Sequence, residues 1–332
     1  MIKLSIILPC YNVERYIADC LDSIYRQDIP EEEYEVICVD DCSKDNTVSI
    51  IKSYQKKHEN IYLILHSVNK SVGITRNNGL LYAQGQYIWF VDPDDILCSN
   101  VFSYVYHELS VNKLDLLLFN YFDADEMLHI YHRYGFIRDS LVMKGMDYCE
   151  FALKSQLNKI GLVWAKCFSR DFLMNNGIRF PRLLKSEDVV FVWKTLFLAK
   201  RIKAISEAIY IYRNHPNSVT HVTKNSQILY NERYMYGVEV VHILHDAKYN
   251  LPYSVRNQLL QTCQWCSNPS YKEIMLLSHN ERYKFYQLTK LSKEKIRCLY
   301  SYMSRKNKII FTYGINYYIW YILIKIFFLT HR

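Results

Sequence analysis

The chain has 332 residues, of which 50% are hydrophobic and 22% charged, the balance of a globular protein. Gly and Pro, at 9 and 7 residues, are too scarce for a collagen-like chain or a long flexible linker. The net charge of +8 comes from the C-terminal part, because residues 251–332 hold 13 Lys and Arg against 3 Asp and Glu.

The ten cysteines do not indicate a disulfide framework. They are scattered, and Cys10, Cys38 and Cys98 lie in or beside apolar runs typical of strands. Cys263 and Cys266 form one Cys-x-x-Cys pair without a second ligand pair, which argues weakly for a metal or redox site. The first residues lead directly into a strand and show no signal-peptide pattern, so we expect a reduced, cytoplasmic protein.

The first part of the chain predicts four strands that alternate with helices. The predicted strands are residues 3–9, 34–41, 60–66 and 87–92, and the predicted helices are 11–27, 43–58 and 73–84. The strands are continuous apolar runs, which indicates a mostly parallel sheet covered on both faces by helices, an α/β fold. Ligands of such sheets bind at the carboxyl ends of the strands.

The pattern loosens after residue 100. We predict a helix over 101–112, a strand over 114–122, an irregular segment over 123–144, a helix from Glu187 and a strand with a polar loop over 208–221. Beyond 222 the chain is predicted to be helical. The expected organisation is a domain over 1–222, with halves 1–100 and 101–222, followed by a helical region over 223–332.

The C-terminal tail, residues 305–330, is apolar, aromatic and flanked by the basic residues Arg305, Lys306 and Lys308. This amphipathic pattern is typical of a segment that lies on a membrane surface, where anionic lipid attracts each nearby Lys or Arg by about 1 kcal/mol. A spanning helix needs ~20 mostly apolar residues, so its length does not exclude one. A core or oligomer-contact helix is the remaining alternative.

Three carboxylates end the fourth predicted strand, in "YIWFVDPDD". Magnesium binds through one or two carboxylates and completes its shell with water and substrate phosphates. Asp92 and Asp94, as an Asp-x-Asp at a strand end, therefore predict a Mg²⁺ or Mn²⁺ site that holds a diphosphate. The alternative is a set of solvated loop acids, and Asp95 and the second acidic strand end, Asp40-Asp41, argue against it.

Two further groups could complete a donor site. A carboxylate of Asp40-Asp41 could accept from a ribose hydroxyl or a base N–H, although helix capping is also consistent with this position. Arg76, near the start of the third helix, could bind a diphosphate because Arg binds planar anions bidentately. An ordinary surface Arg is the alternative.

Glu187 and Asp188 open an apolar helix, "EDVVFVWK". Acids in a first helical turn often only complement the helix dipole. A group-transfer enzyme, however, needs a base that deprotonates the acceptor hydroxyl. Asp188 is the best candidate for it, and His215, in a polar loop, is the nearest rival.

Four segments in order resemble the family-two inverting glycosyltransferases with the GT-A fold. They are "SIILPCYNVERYIADCLDSI", "VICVDDCSKDNT", "SVGITRNNGLLYAQGQYIWFVDPDD" and "SED", and the resemblance covers about residues 1–220. It implies a nucleotide-sugar donor, usually a UDP-sugar, and a divalent metal. Members often have Gly where this chain has Cys42.

The resemblance also implies roles for individual residues. Pro9 and Tyr11 would lie near the base, and Asp41 would accept from uracil. Asp92 and Asp94 would serve the ribose and the metal diphosphate, with Asp94 the direct ligand. Asp188 would be the general base, and Glu14 and Arg76 would lie close to the donor.

Members of this kind often extend polysaccharides on lipid carriers at the inner face of a bacterial membrane. We therefore expect a saccharide or lipid-linked saccharide acceptor, peripheral attachment through the tail, and no nucleic-acid partner.

Three other functions are alternatives to sugar transfer. A dinucleotide-binding oxidoreductase would have a Gly-rich turn after the first strand, and "PCYNVERY" contains no glycine. A phosphotransferase with Asp92 as nucleophile would carry that residue after the first strand, not the fourth. A non-catalytic nucleotide-sugar-binding scaffold is disfavoured by the presence of both acidic pairs, but sequence leaves it open.

Overall fold

A computed structural model of the chain describes residues 1–134, 139–155, 161–216 and 226–267. The chain divides into two compact units, Met1–Ser218 and Val219–Arg332. All the predicted site residues belong to the first unit.

The first half of this unit has the predicted alternation of strands and helices, which the structure confirms. The strands are β1 (Leu4–Cys10), β2 (Tyr34–Asp40), β3 (Ile61–Leu65) and β4 (Tyr87–Phe90). The helices are α1 (Ile17–Ile24), α2 (Thr47–Gln55) and α3 (Val72–Tyr82). Every residue of β1, β2 and β4 is buried, which explains their continuous apolar sequences.

The four strands are parallel and adjacent, in the order β3-β2-β1-β4. Cys10 pairs with Asp40, and Ile7 pairs with Phe90, so β1, β2 and β4 end at the same edge of the sheet. The residues that follow them are therefore brought together. This edge carries the candidate site.

The second half of the unit completes a mixed sheet. Its strands are β5 (Ile96–Leu97), β6 (Leu116–Ala124), β7 (Ile130–Tyr134), β8 (Lys166–Ser169) and β9 (Ile202–Arg213). Its helices are α4 (Phe102–Val111), α5 (Gly145–Lys154), α6 (Arg170–Asn175) and α7 (Glu187–Leu198). The path continues β4-β8-β6-β9-β5, where β6 and β9 are parallel and the other pairings are antiparallel.

The segment predicted to be irregular over 123–144 is partly a hairpin, so this prediction was wrong there. Strand β6 runs to Ala124, and β7 returns along it in antiparallel pairing. The first four residues of β7 are exposed, so no apolar run marks the strand in the sequence.

Close packing of α3 on the sheet depends on Gly79. A Cβ atom at this position would lie 2.4 Å from Cγ2 of Ile7 in β1. Because only glycine permits that approach, α3 can lie directly over the strands and carry Arg76 to their ends.

The second unit is helical wherever it is described, which confirms the prediction for that part. It contains α8 (Ser226–His245), a short turn at Ala247–Tyr249 and α9 (Tyr253–Ser267). Cys263 and Cys266 are buried in α9. The predicted tail segment 305–330 lies outside the described residues. Within the described ranges, no helix is both long and apolar enough to cross a membrane.

Candidate functional site

Asp41, directly after β2, is buried in a network that orients its carboxylate. Oδ1 accepts from His66 Nδ1 at 2.7 Å and from the Lys70 backbone N–H at 2.8 Å, and Oδ2 accepts from the Ser71 N–H at 3.0 Å. Asn78 Nδ2 lies 2.6 Å from His66 Nε2. If Asn78 donates to Nε2, the imidazole proton is on Nδ1 and is donated to Asp41. A carboxylate accepts about four bonds, and three are occupied here, two on Oδ1 and one on Oδ2.

The loop after β1 lies beside this network. Pro9 is buried within β1, whereas the Tyr11 side chain is 47% exposed and available for stacking. Asn12 ties the loop to the one after β2, because its N–H donates to Ser43 Oγ at 3.0 Å. The carboxylate of Glu14 accepts from the backbone and side-chain nitrogens of Asn46, at 2.9 and 2.8 Å, and so fixes the start of α2.

Arg76 joins the acids after β4 to those of α7. It is buried, and its two terminal nitrogens bind Asp92 Oδ1 at 2.8 Å and Glu187 Oε1 at 2.7 Å. The Nε atom has no hydrogen-bond partner. The expected contact of Arg76 with a donor would therefore be made by a guanidinium already held between two carboxylates.

Burial raises the pKa of Asp92, and the neighbouring Asp94 raises it further, against the lowering effect of Arg76. Burial also raises the pKa of Glu187 to about 7. The single positive charge of Arg76 is therefore shared by more carboxylates than it can neutralise. The physical consequence is that this cluster retains a proton more readily than exposed carboxylates do.

Asp94 faces His215, which follows the end of β9. Its Oδ2 atom lies 3.0 Å from His215 Nε2, and its side chain is 28% exposed. The imidazole is buried, its Nδ1 has no partner, and its ring lies 4.4 Å from that of Tyr16. In the part of the chain that the structure describes, no group of three or more His, Cys, Asp or Glu is arranged to hold a metal. Two such ligands are nevertheless enough when substrate phosphates supply the others.

Asp188 lies in the first turn of α7, after Ser186, whose φ of 63° is left-handed. Its Oδ1 accepts from the Val189 N–H at 2.8 Å. Burial raises its pKa, while Arg76 and Lys166 lower it. A base with a raised pKa is better matched to proton transfer near neutral pH.

Lys166 of β8 is a second buried group near this base. Its Nζ donates to the Leu162 carbonyl at 2.6 Å. Burial lowers its pKa to about 7, and the charge of Asp188 opposes that effect. The charges of Lys166 and Asp188 therefore influence each other's pKa.

The family model for "Glycosyl transferase family 2" matches residues 5–175, about half of the chain. The chain belongs to glycosyl transferase family 2. The match covers every predicted donor and metal residue, and Asp188 and His215 follow it.

Curated proteins similar to this chain match about two thirds of it. A poly(ribitol-phosphate) beta-glucosyltransferase of Bacillus spizizenii is 34% identical over 221 residues, 63% of this chain and 32% of that protein. TarS of Staphylococcus aureus, a poly(ribitol-phosphate) beta-N-acetylglucosaminyltransferase, is 32% identical over 64% of this chain and 35% of its own length. The uncharacterized glycosyltransferase EpsJ of Bacillus subtilis is 30% identical over 66% and 63%. The chain thus spans about a third of two of these relatives and less than two thirds of the other.

Solved structures share the GT-A fold of family 2. The structure of S. aureus TarS 1-349 in complex with UDP-GlcNAc has a TM-score of 0.66 and 23% identity, over 94% of this chain and 87% of that one. The mannosyltransferase PcManGT of Pyrobaculum calidifontis, in complex with GDP-Man and Mn²⁺, has a TM-score of 0.53 and 16% identity, over 95% and 88%. At these identities the likeness establishes the fold alone, as the sequence predicted.

Cys42, where the resemblance leads us to expect Gly, directly follows Asp41. Its φ is 68°, a left-handed conformation that glycine adopts at less cost. Asn12, Ser71 and Ser186, each next to a predicted site residue or its partners, also have positive φ values, as do Asn100, Lys113, Leu128 and Asn250. A positive φ value alone therefore does not identify the site.

Sequence reasoning missed the partners of the predicted residues. His66 on Asp41, Glu187 on Arg76 and His215 on Asp94 are contacts made only by folding. Arg76 and Glu187 are 111 residues apart, and Asp94 and His215 are 121 apart. The sequence signal for the site is the polar residues at the ends of apolar strands. This pattern indicates where a side chain lies but not which residue it contacts.

Proposed function

We propose that this protein transfers a sugar from a UDP-sugar to a hydroxyl of a saccharide acceptor, with inversion and with a divalent cation. The observation that carries the proposal is the gathering of Asp41, Asp92 and Asp94 at one sheet edge, with Asp188 joined to them through Arg76 and Glu187. Membership of glycosyl transferase family 2 supports the reaction class. The complex of TarS with UDP-GlcNAc supports the donor class.

The donor base would lie between Tyr11 and Asp41. The free acceptor position on Asp41 Oδ2 suits the N3–H of uracil, because cytosine offers an acceptor there instead of a donor. The exposed Tyr11 ring would stack on the base. Glu14, Arg76 and Asp92 would support the ribose and diphosphate side.

Asp94 and His215 fit a Mg²⁺ or Mn²⁺ ion. Two adjacent ligands of an octahedral ion at ~2.1 Å are about 3 Å apart, and Asp94 Oδ2 and His215 Nε2 are 3.0 Å apart. The unpartnered Nδ1 can hold the imidazole proton while Nε2 ligates. When bound, the ion would neutralise the diphosphate and so favour its departure. Asp92, with Oδ1 on Arg76, would keep Oδ2 for the ion or the ribose.

Asp188 would be the general base. The acceptor hydroxyl gives its proton to Asp188, and its oxygen bonds to the anomeric carbon from the side opposite the diphosphate. The bond from that carbon to the diphosphate oxygen breaks, and UDP leaves with the electron pair. This single displacement inverts the configuration at the anomeric carbon.

The acceptor and the location extend the proposal. Two relatives are named for glucose or N-acetylglucosamine transfer to poly(ribitol-phosphate), which supports a cell-surface glycopolymer, or its lipid-linked precursor, as acceptor.

The basic, aromatic segment 305–330 would hold the protein on the inner face of the cytoplasmic membrane. Removing the residues after Ser304 should release the protein from sedimented membranes. A truncated protein that still sediments with them would exclude the tail as the anchor.

The first experiment is calorimetric binding of UDP, GDP and CMP to the full-length protein, each with and without Mn²⁺. We expect UDP to bind most tightly, and we expect Mn²⁺ to strengthen its binding. A preference for GDP or CMP would contradict the UDP-sugar donor. Binding of UDP without sugar transfer to any hydroxyl acceptor, across a panel of UDP-sugars, would favour the scaffold alternative.

A further inference from the structure

Asp95 is the third carboxylate of "DPDD", and the proposed reaction gives it no part. Unlike Asp94, it points into the protein, where its exposure is 1%. Tyr210 of β9 donates its hydroxyl proton to Asp95 Oδ2 at 2.7 Å. The backbone N–H of Arg213, the last residue of β9, donates to Oδ1 at 2.8 Å.

Tyr210 binds the same turn a second time. Its oxygen accepts from the Asp92 backbone N–H at 3.2 Å. The ring is fully buried and stacks on Trp164 at 4.5 Å between centroids. The hydroxyl is therefore fixed in place and connects both ends of the Asp92–Asp95 turn to β9.

We propose that Asp95 and Tyr210 are positioning residues that hold the end of β9 against this turn, so that His215 meets Asp94. His215 follows Arg213 by two residues, and Asp94 precedes Asp95 by one. The inference rests on the proposed cation site. In this proposal Asp95 shapes the cation site and is neither a metal ligand nor a catalytic residue.

On its other side, β9 is held by β6, whose Ala124 pairs with Arg213 and accepts from the Asn214 N–H at 2.8 Å. The connection between β9 and the Asp92–Asp95 turn is shorter. The neighbouring strand β5 has two residues, and it pairs with β9 only through Ile96 with Ile211 and Leu97 with Tyr210. The three bonds at Asp92, Asp95 and Arg213 extend that short ladder up to the site. Without them, the turn that carries Asp94 would lose its direct hydrogen bonds to the end of β9, which carries His215.

A carboxylate suits this role better than an amide. Asp95 accepts on both oxygens, one bond from a hydroxyl and one from a backbone N–H. With the oxygen of an Asn at this position kept on the Arg213 N–H, its NH₂ group would face Tyr210. The Tyr210 hydroxyl would then have to accept, and its own proton would lose its partner. Such a buried, unsatisfied group costs stability and displaces its neighbours.

The test is the Tyr210→Phe variant, which removes the hydroxyl and keeps the stacked ring. The matched control is Tyr87→Phe, because Tyr87 is also buried and its hydroxyl donates to the Leu109 carbonyl, at the other end of β4. Mn²⁺ is titrated into full-length, metal-free protein, and free Mn²⁺ is followed by paramagnetic resonance. Loss of a residue that orients metal ligands typically costs 10- to 100-fold in affinity. We expect about a tenfold weaker Mn²⁺ affinity in Tyr210→Phe and wild-type affinity in Tyr87→Phe.

UDP binding without metal separates positioning from general damage to the fold. Tyr210→Phe should bind UDP without metal as wild type does, and Asp95→Asn should reproduce its Mn²⁺ defect. The proposal would be overturned if both folded variants bind Mn²⁺ with wild-type affinity. It would also be overturned if metal-free UDP binding weakens as much as Mn²⁺ binding does.

Hydrogen exchange gives a readout that does not depend on metal. Exchange at residues 92–98 and 208–216 should accelerate in Tyr210→Phe and not in Tyr87→Phe, and unchanged exchange would refute the contact as a constraint. A wild-type protein that binds no Mn²⁺ would refute the cation site, and with it the role of Asp95 there. Wild-type protein that binds Mn²⁺ and UDP but transfers no sugar would refute only the proposed reaction.

Discussion

Replacing Glu187 by Gln tests whether the cluster around Arg76 carries excess negative charge. The amide keeps the size of the side chain and an oxygen for the Arg76 contact of 2.7 Å. It removes a carboxylate whose pKa is raised by burial to about 7, from an ordinary value of 4.5. A raised pKa means that the folded state binds the proton more tightly than the unfolded state does.

The sign of the effect follows from that difference. In wild type, the stability supplied by protonated Glu187 is fully present below about pH 4.5 and is lost as the pH rises to about 7. At about 1.4 kcal/mol per pH unit, the full difference corresponds to about 3 kcal/mol. Glu187→Gln does not titrate, so its stability relative to wild type should increase across this window, by between 1 and about 3 kcal/mol.

The assay is urea unfolding of both proteins at pH 5, 6.5 and 8, with the difference in unfolding free energy plotted against pH. Glu59→Gln, at an exposed position, controls for the loss of one carboxylate. A difference that stays flat, or that falls between pH 5 and pH 8, would refute the excess of negative charge. It would mean that Arg76 fully compensates Glu187 when that residue is ionised.

Three further predictions concern single positions. Asp94→Ala should abolish the Mn²⁺ dependence of UDP binding in calorimetry, and a variant that keeps it would remove Asp94 as a ligand. Asp188→Asn should bind UDP as wild type does, while kcat falls by about 10² to 10⁴; wild-type turnover would exclude Asp188 as the base. Cys42→Gly should raise the unfolding free energy by about 1 kcal/mol, because the φ of Cys42 is 68° and glycine adopts this conformation at less cost. A loss of stability would show that the Cys42 side chain contributes more than its strained backbone costs.

The sequence predicted the fold best where burial is complete. The strands β1, β2 and β4 are buried on both faces, so their apolar runs could be identified without knowledge of their neighbours. The exposed strand β7 exists because β6 offers it hydrogen bonds, and its own residues carry no apolar pattern. Strand β8 begins with a buried Lys166, a residue type that normally indicates a surface position.

For the site, the sequence predicted locations better than partners. Asp41, Asp92 and Asp94 lie at the ends of their strands, as parallel-sheet topology requires. Arg76 was expected to be available to a diphosphate, yet both of its terminal nitrogens bind carboxylates, one of them on α7. That contact joins residues more than 100 positions apart, and no local pattern encodes it.

The shared guanidinium of Arg76 has a consequence for how the protein can change over evolution. Asp92 and Glu187 bind the same side chain, so a substitution at either position alters the support of the other. Substitutions in the turn after β4 and at the start of α7 are therefore coupled. A substitution of Asp92 that altered donor preference would also disturb the surroundings of Asp188. Asp41, by contrast, contacts His66, Lys70 and Ser71, and this network extends to Asn78 without reaching α7. Changes there offer a route to new nucleotide specificity that leaves the proposed base undisturbed.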